Sequence, residues 1–181
     1  MAILTFPNMT PTKVSWKLRS NTEKFTSPLN SSTQTTARPG SRWKATIEFD
    51  DMTLERAAIL DAWLASLDGM AGRFYLWPQH RPGTAGVGTV SAVTAKTISV
   101  NGLTLAEGDF IEAGGELKMI TSTGNPMGIA PPWRHQPNLG AVVNATRPQS
   151  VFMLESDEYG VTRIPGLMYE NIVISCVEVF Q

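Results

Sequence analysis

The chain has 181 residues, a formal net charge of −1 and one cysteine, Cys176. That length suits one domain with room for a small insert and can bury roughly 70% of the surface the unfolded chain exposes, so neither a disulfide nor a metal is needed for folding. The near-neutral balance gives no overall signal for nucleic acid, the lone cysteine excludes an intrachain disulfide and fits a reducing cytosol, and no run approaches the ~20 apolar residues of a membrane span.

The N-terminal MAILTFPNMT lacks the basic start of a signal peptide. Residues 13–19 alternate Val14, Trp16 and Leu18 with Lys13, Ser15, Lys17 and Arg19, the period-two pattern of a strand with one buried face. The stretch 21–40 is polar and rich in Ser and Thr, and it admits two readings. One is a projecting hairpin, with arms Phe25-Thr26 and Gln34-Thr35-Thr36 around Ser27-Pro28-Leu29-Asn30; the other is a polar loop. Strict alternation returns in Trp43, Ala45, Ile47 and Phe49. Two residues later the spacing changes to three and four: Leu54, Ala57, Leu60, Trp63 or Leu64, and Leu67 mark one face of a helix over 53–68. Thr53 or Asp50-Asp51 can cap its first turn, and Gly69 can supply a left-handed stop.

Arg73–Trp77 reads as a strand closed by Pro78. Residues 82–131 are rich in glycine, with Asn101-Gly102 and Gly114-Gly115 as turn signals between short apolar runs and Val87–Val93 as a further strand, the pattern of a small barrel-like β module. Similar phrases flank it, Trp77-Pro78-Gln79-His80-Arg81-Pro82 and Pro132-Trp133-Arg134-His135-Gln136-Pro137, and read as a neck where the chain leaves and re-enters the core. The organisation expected is therefore a core from 1–81, an insert over 82–131 and the rest of the core over 132–181. Ser150–Glu155 and Asn171–Phe180 are the last two strands. The second is β-branched on both faces and hardly alternates, so it is expected to be central, with one face under the helix and the other against another sheet or a neighbouring subunit. The turn signals between them are 157–160 and Pro165-Gly166.

Little in the chain points to chemistry. His80 and His135 are the only histidines, and neither sits in a ligand-spaced cluster, so no metal or cofactor is expected. No G-x-S-x-G elbow is present, and the glycines at 83, 86 and 88 open into a strand, where no helix N-terminus would bind phosphate. No catalytic residue is assigned. Trp16, Trp43 and Trp63 fall on apolar faces and are expected in the core, whereas Trp77 and Trp133, with His80 and Arg134 nearby, are candidate sugar or partner contacts. Residues 1–50 hold seven Lys/Arg against three acids, and residues 132–181 hold three against five. A basic front and an acidic back suit head-to-tail contacts between copies, although a chance spread of solvated charges gives the same count.

The order of features resembles the minor tail proteins of long-tailed bacteriophages. The residues that carry it are Trp16, Phe25-x-Ser27-Pro28-Leu29-Asn30, Gln34-Thr35, Arg38-Pro39-Gly40-x-Arg42-Trp43, the helix closed by Gly69, Gly108-Asp109-Phe110-Ile111 and Ala130-Pro131-Pro132-Trp133-Arg134. Within that group the chain is most similar to distal tail proteins. The resemblance implies a mainly β fold with one main helix, a tail-tube-like antiparallel sandwich or barrel core, and a small inserted barrel-like module. It also implies a non-enzymatic virion protein, made in the host cytoplasm. Such proteins form a ring, usually of six subunits, joining the tail tube to the baseplate hub and tape measure proteins. Phe25, Leu29 and Gln34 would then lie on an inter-subunit arm. The alternatives are a tail-tube or tail-completion protein, or a carbohydrate-binding module for host-surface recognition.

Overall fold

A computed structural model describes residues 2–50, 52–79, 84–158, 160 and 172–180. The chain is mainly β, and the described residues form one α-helix, an open six-stranded sheet, a closed six-stranded barrel and a separate two-stranded hairpin. The open sheet takes strands from both ends of the sequence: β1 (Leu4–Thr5), β2 (Lys13–Arg19), β5 (Arg42–Phe49), β6 (Phe74–Leu76), β13 (Ser150–Leu154) and β14 (Ile172–Glu178). Their order is β1-β6-β13-β14-β5-β2, parallel only between β1 and β6. The hairpin is β3 (Thr22–Thr26) with β4 (Thr33–Ala37).

Alternation puts Trp43, Ala45, Ile47 and Phe49 of β5 on the inner face, opposite Leu18, Trp16 and Val14 of β2. Helix α1 (Leu54–Ser66) covers that face with Ala57, Leu60 and Leu64. Trp63 is half-buried at the far edge, where its indole N–H donates to the Thr5 carbonyl at 3.0 Å and its ring meets Phe6 and Phe74 edge-on. Leu54 instead lies 65% exposed. The sequence-expected cap also differs: Thr53 sits at the N-cap with extended backbone but makes no side-chain hydrogen bond, and its carbonyl accepts from Ala57 N–H. Asp51, the other expected cap, lies outside the described residues. Past the helix Asp68 and Gly69 are both left-handed, at φ 53° and 64°, and a Cβ on Gly69 would stand 2.5 Å from Asp157 Oδ1. Glycine is required there twice over, by conformation and by contact.

The barrel is built from β7 (Val87–Val93), β8 (Thr97–Asn101), β9 (Phe110–Ala113), β10 (Glu116–Ser122), β11 (Met127–Ala130) and β12 (Val142–Asn144), closing in the order β10-β11-β8-β7-β12-β9. Gly102, Gly114 and Gly115 take the positive φ that the turn signals anticipated. The boundary at 131 is corrected: closure uses β12, so the barrel runs to Asn144 and the second Trp-Arg-His phrase lies within it. Trp133 is accordingly part of the barrel interior, with Ile98, Ile111, Ile129 and Val143.

β9 and β10 are two-faced. Ile111 and Ile120 point into the barrel, whereas Phe110, Leu117 and Met119 point out and join the core of the open sheet. Trp43 closes this seam, with its ring centroid 5.0 Å from that of Phe110 and its indole N–H donating to the Leu117 carbonyl at 3.1 Å. β14 is central, as expected, between β13 and β5. Within one copy the inner face holds Ile172, Ile174 and Cys176, while on the outer face Val177 is buried and Val173, 57% exposed, and Ser175 stay open. The Pro165-Gly166 turn lies outside the described residues.

Truncating Trp43 to Ala should cost ~3–5 kcal/mol, through the cavity left at the seam. Trp43→Phe, which keeps most of the apolar volume and orphans the Leu117 carbonyl, should cost about 1–3 kcal/mol. Urea unfolding of both variants checks the order.

Candidate functional site

Charged side chains gather at one place, where a mouth of the barrel meets the end of the open sheet. Glu116 and Lys118 lie two apart on β10 and so share a face. Lys118 is 2% exposed; its ammonium pairs with Glu116 Oε2 at 2.6 Å, donates to the Pro132 carbonyl at 3.3 Å and lies 4.9 Å from the Trp133 ring centroid. Glu116 also accepts from the backbone N–H groups of Arg134 and His135, at 3.3 and 2.9 Å. From the sheet side comes Glu178 of β14, which accepts from Trp43 N–H at 3.1 Å and from the Ser150 hydroxyl at 2.9 Å. Arg134 stacks on Phe180 and donates to the Ser41 carbonyl at 2.6 Å, tying the barrel to the approach of β5.

These groups border a cavity of about 60 Å³ between Gly114, Glu116, Arg134, Ser150 and Glu178, room for a few waters at most. Burial pushes the Glu178 carboxyl above the ordinary range, against its hydrogen bonds and the nearby Lys118 and Arg134 charges. Burial also pushes Lys118 below the usual lysine range, although its pairing with Glu116 opposes this. For Glu116 burial acts upward, but the bond from Lys118, the His135 N–H, the Lys118 charge and the Arg134 N–H together hold the carboxyl below its ordinary value. The polar atoms are thus directed at one another and at backbone groups. The arrangement orders Pro132–His135 and docks the barrel against the sheet.

Of the candidate sugar or partner contacts, the three that are described, Trp77, Trp133 and Arg134, do not form one platform. Trp77 is half-buried against the open-sheet core, with the Arg147 guanidinium 3.5 Å from its ring centroid. Trp133 is 6% exposed within the barrel, with Lys118 over its ring. Its place as a surface stacking platform is corrected: closing the barrel through β12 turns this Trp inward. Arg134 is engaged by Phe180 and Ser41. His80 lies outside the described residues.

The arm residues stand as the hairpin reading places them. Thr22↔Ala37 through Thr26↔Thr33 pair in register, and every residue of both strands is exposed. Phe25 is opposite Gln34, and Leu29 at the tip is 95% exposed. The Ser27 hydroxyl accepts from Leu29 N–H and Asn30 Oδ1 accepts from Ser32 N–H, so the tip is shaped by its own side chains. Sequence reasoning missed the Glu116–Lys118–Glu178 group. Glu116 and Glu178 read as ordinary polar positions at strand ends, and only a lysine inside an otherwise apolar LKMI run gave a signal.

No helix among the described residues is long and apolar enough to cross a membrane. No protein-family model matches the chain, and no curated protein matches it significantly.

Removing one member of the buried pair should be costly in a way that removing the other is not. Glu116→Gln strands the Lys118 ammonium and should destabilise by ~3–5 kcal/mol, whereas Lys118→Met should cost less, since Glu116 keeps its two backbone donors. Chemical denaturation of both reads the difference. The raised Glu178 carboxyl binds its proton more tightly folded than unfolded. Its contribution to stability is therefore fullest below the unfolded carboxylate pKa of about 4.3 and falls as pH rises through the higher folded value. Stability measured against pH should lose this downward component in Glu178→Gln.

Proposed function

We propose that this chain is a structural subunit of a bacteriophage tail, of the distal tail type, which assembles with copies of itself into a ring between the tail tube and the baseplate hub. The observation that carries the proposal is the β3–β4 hairpin. A two-stranded hairpin is marginal in water by itself. This one holds Phe25 and Leu29 exposed, and every residue of its two strands is exposed, so none of the described residues forms a layer over either face. Such an element gains its stabilisation by packing on something else, and a neighbouring subunit or an adjacent ring would supply that surface. The motifs spread from Trp16 to Arg134 resemble the same family, and the basic front and acidic back suit repeated head-to-tail contacts.

In this reading the open sheet, α1 and the barrel are scaffold, and the role is assembly and not catalysis. The tape measure protein and the hub would be the neighbours along the tail axis, and the protein would reside in the virion tail. A tail-tube or tail-completion subunit would use the same parts. The carbohydrate-binding alternative is weakened by the burial of Trp133, which leaves no paired aromatic platform with Trp77.

Purified protein should form closed rings visible by negative staining and by native mass, alone or when mixed with its hub partner. Phe25→Ser combined with Leu29→Ser should leave the melting temperature unchanged and weaken assembly by about 10-fold or more, since both residues are solvent-exposed in the monomer and would be anchors in the ring. A protein that stays monomeric under both conditions would count against the proposal.

A further inference from the structure

Two surfaces of the monomer carry an excess of one sign of charge among the described residues. On the outer face of the open sheet, β2 and β5 are in register with Lys17 directly opposite Lys44 and Arg19 directly opposite Arg42. Like charges facing one another across an antiparallel pair repel. Part of this ladder is neutralised: Lys13 pairs with Glu48 at 3.0 Å, and Lys44 pairs with Glu155. Arg42 lies 4.4 Å from the Phe180 ring centroid and has no carboxylate partner among the described residues. Lys17 and Arg19, both exposed, likewise have none. β2 is also an edge strand, so this basic strip runs along an unpaired border of the sheet and continues into the hairpin.

The second surface lies where α1 ends. Asp68 follows the last turn of the helix, which holds no basic residue, and Asp157 and Glu158 come in from the loop after β13. Asp157 is fixed there by accepting from Met70 N–H at 2.8 Å. Asp68 stands just past the negative end of the α1 dipole, and the one cation fixed beside the group is Arg73, whose guanidinium donates to the Met70, Ala71 and Gly72 carbonyls, so among the described residues the carboxylates outnumber it. This group borders β13 and β6, on the opposite side of the sheet from β2. A single copy cannot bring the two surfaces together.

We propose that the basic strip of Lys17, Arg19 and Arg42 docks on the acidic cap of Asp68, Asp157 and Glu158 in a second copy of this chain. The contact is heterologous, basic edge to acidic cap, so each subunit offers one of each and a closed ring satisfies both. It sets an excess of basic charge against an excess of acidic charge. It also places the hairpin, which leaves β2 just beyond Arg19, over the neighbour, and it fixes the direction of the ring. The inference rests on the reading that the chain assembles with itself; it adds the two surfaces that meet.

Charge exchange tests it. One variant carries Lys17→Glu and Arg19→Glu; the other carries Glu158→Lys and Asp68→Asn, a residue that tolerates the left-handed backbone at that position. Both leave the Asp157–Met70 bond intact, and unchanged circular dichroism and melting temperature establish that each is folded. Sedimentation should show self-association of each variant weakened about 10-fold or more relative to the parent. An equimolar mixture should recover it, because the acidified strip of one then meets the altered cap of the other while the native surfaces pair in the alternate contacts. Rising salt should weaken the parent assembly. If the parent assembles and both variants assemble equally well, the docking is wrong while self-assembly stands. If the parent never assembles, both fall.

Discussion

Trp43 stands where the open sheet and the barrel would otherwise have separate interiors. Its ring fills the space between Trp16 and Phe110, and its indole N–H is held by a carbonyl of the barrel strand β10. Because β9 and β10 turn one face into the barrel and the other onto the sheet, the insert is a second layer over part of the sheet and not a pendant module. The polar groups of the seam follow from this packing. Glu178 meets the backbone N–H of Trp43 itself, and Arg134 reaches the residue before β5. Buried ion pairs add little stability over apolar packing, but they penalise displacement heavily. A barrel held by one large aromatic and a ring of short polar bonds therefore has one orientation on its sheet.

The rigidity of that body contrasts with what it displays. An edge strand bearing facing basic pairs, a hairpin with bare Phe25 and Leu29, and a helix end crowded with carboxylates are arrangements that a solitary soluble domain has physical reasons to avoid. They lie on different sides of the same frame. A stiff frame that holds complementary features apart in fixed geometry suits a repeating assembly, where angles between neighbours must close after a set number of copies.

Much of this frame was legible in the residues. The alternation of 43–49 and of 13–19 is a direct consequence of one face being wet, and the Asn-Gly and Gly-Gly turns required by the barrel are explicit. The hairpin was legible as one of two readings, since Ser-Pro-Leu-Asn between Thr-rich arms serves a turn or a loop equally. Other features left no local trace. β12 is three residues long and is a strand only because two barrel edges wait for it. Trp133 is set among prolines and Arg134, which read as surface, yet closure of the barrel draws it in. Lys118 is buried because Glu116, two residues away, and the Pro132 carbonyl, fourteen away, converge on it. Val173 shows the converse, an apolar residue at strand spacing left exposed although Val177, four residues on along the same face, is buried.

The sheet order also bears on how the chain comes to be folded. The barrel is assembled from a continuous stretch, residues 87–144, so all its pairings, including the closing Thr89↔Val142 pair, lie within that stretch and can form as soon as it is available. The open sheet cannot do the same. Its central strand β14 arrives last and pairs with β5, Cys176 binding the Ala45 carbonyl across 131 residues of sequence. Until residues 172–178 leave the ribosome, β5 lacks one neighbour and the helix covers an incomplete surface. The barrel is thus the earlier foldon and the sheet the later one, joined through Trp43, which comes first in synthesis and finds its carbonyl partner only when β10 is in place.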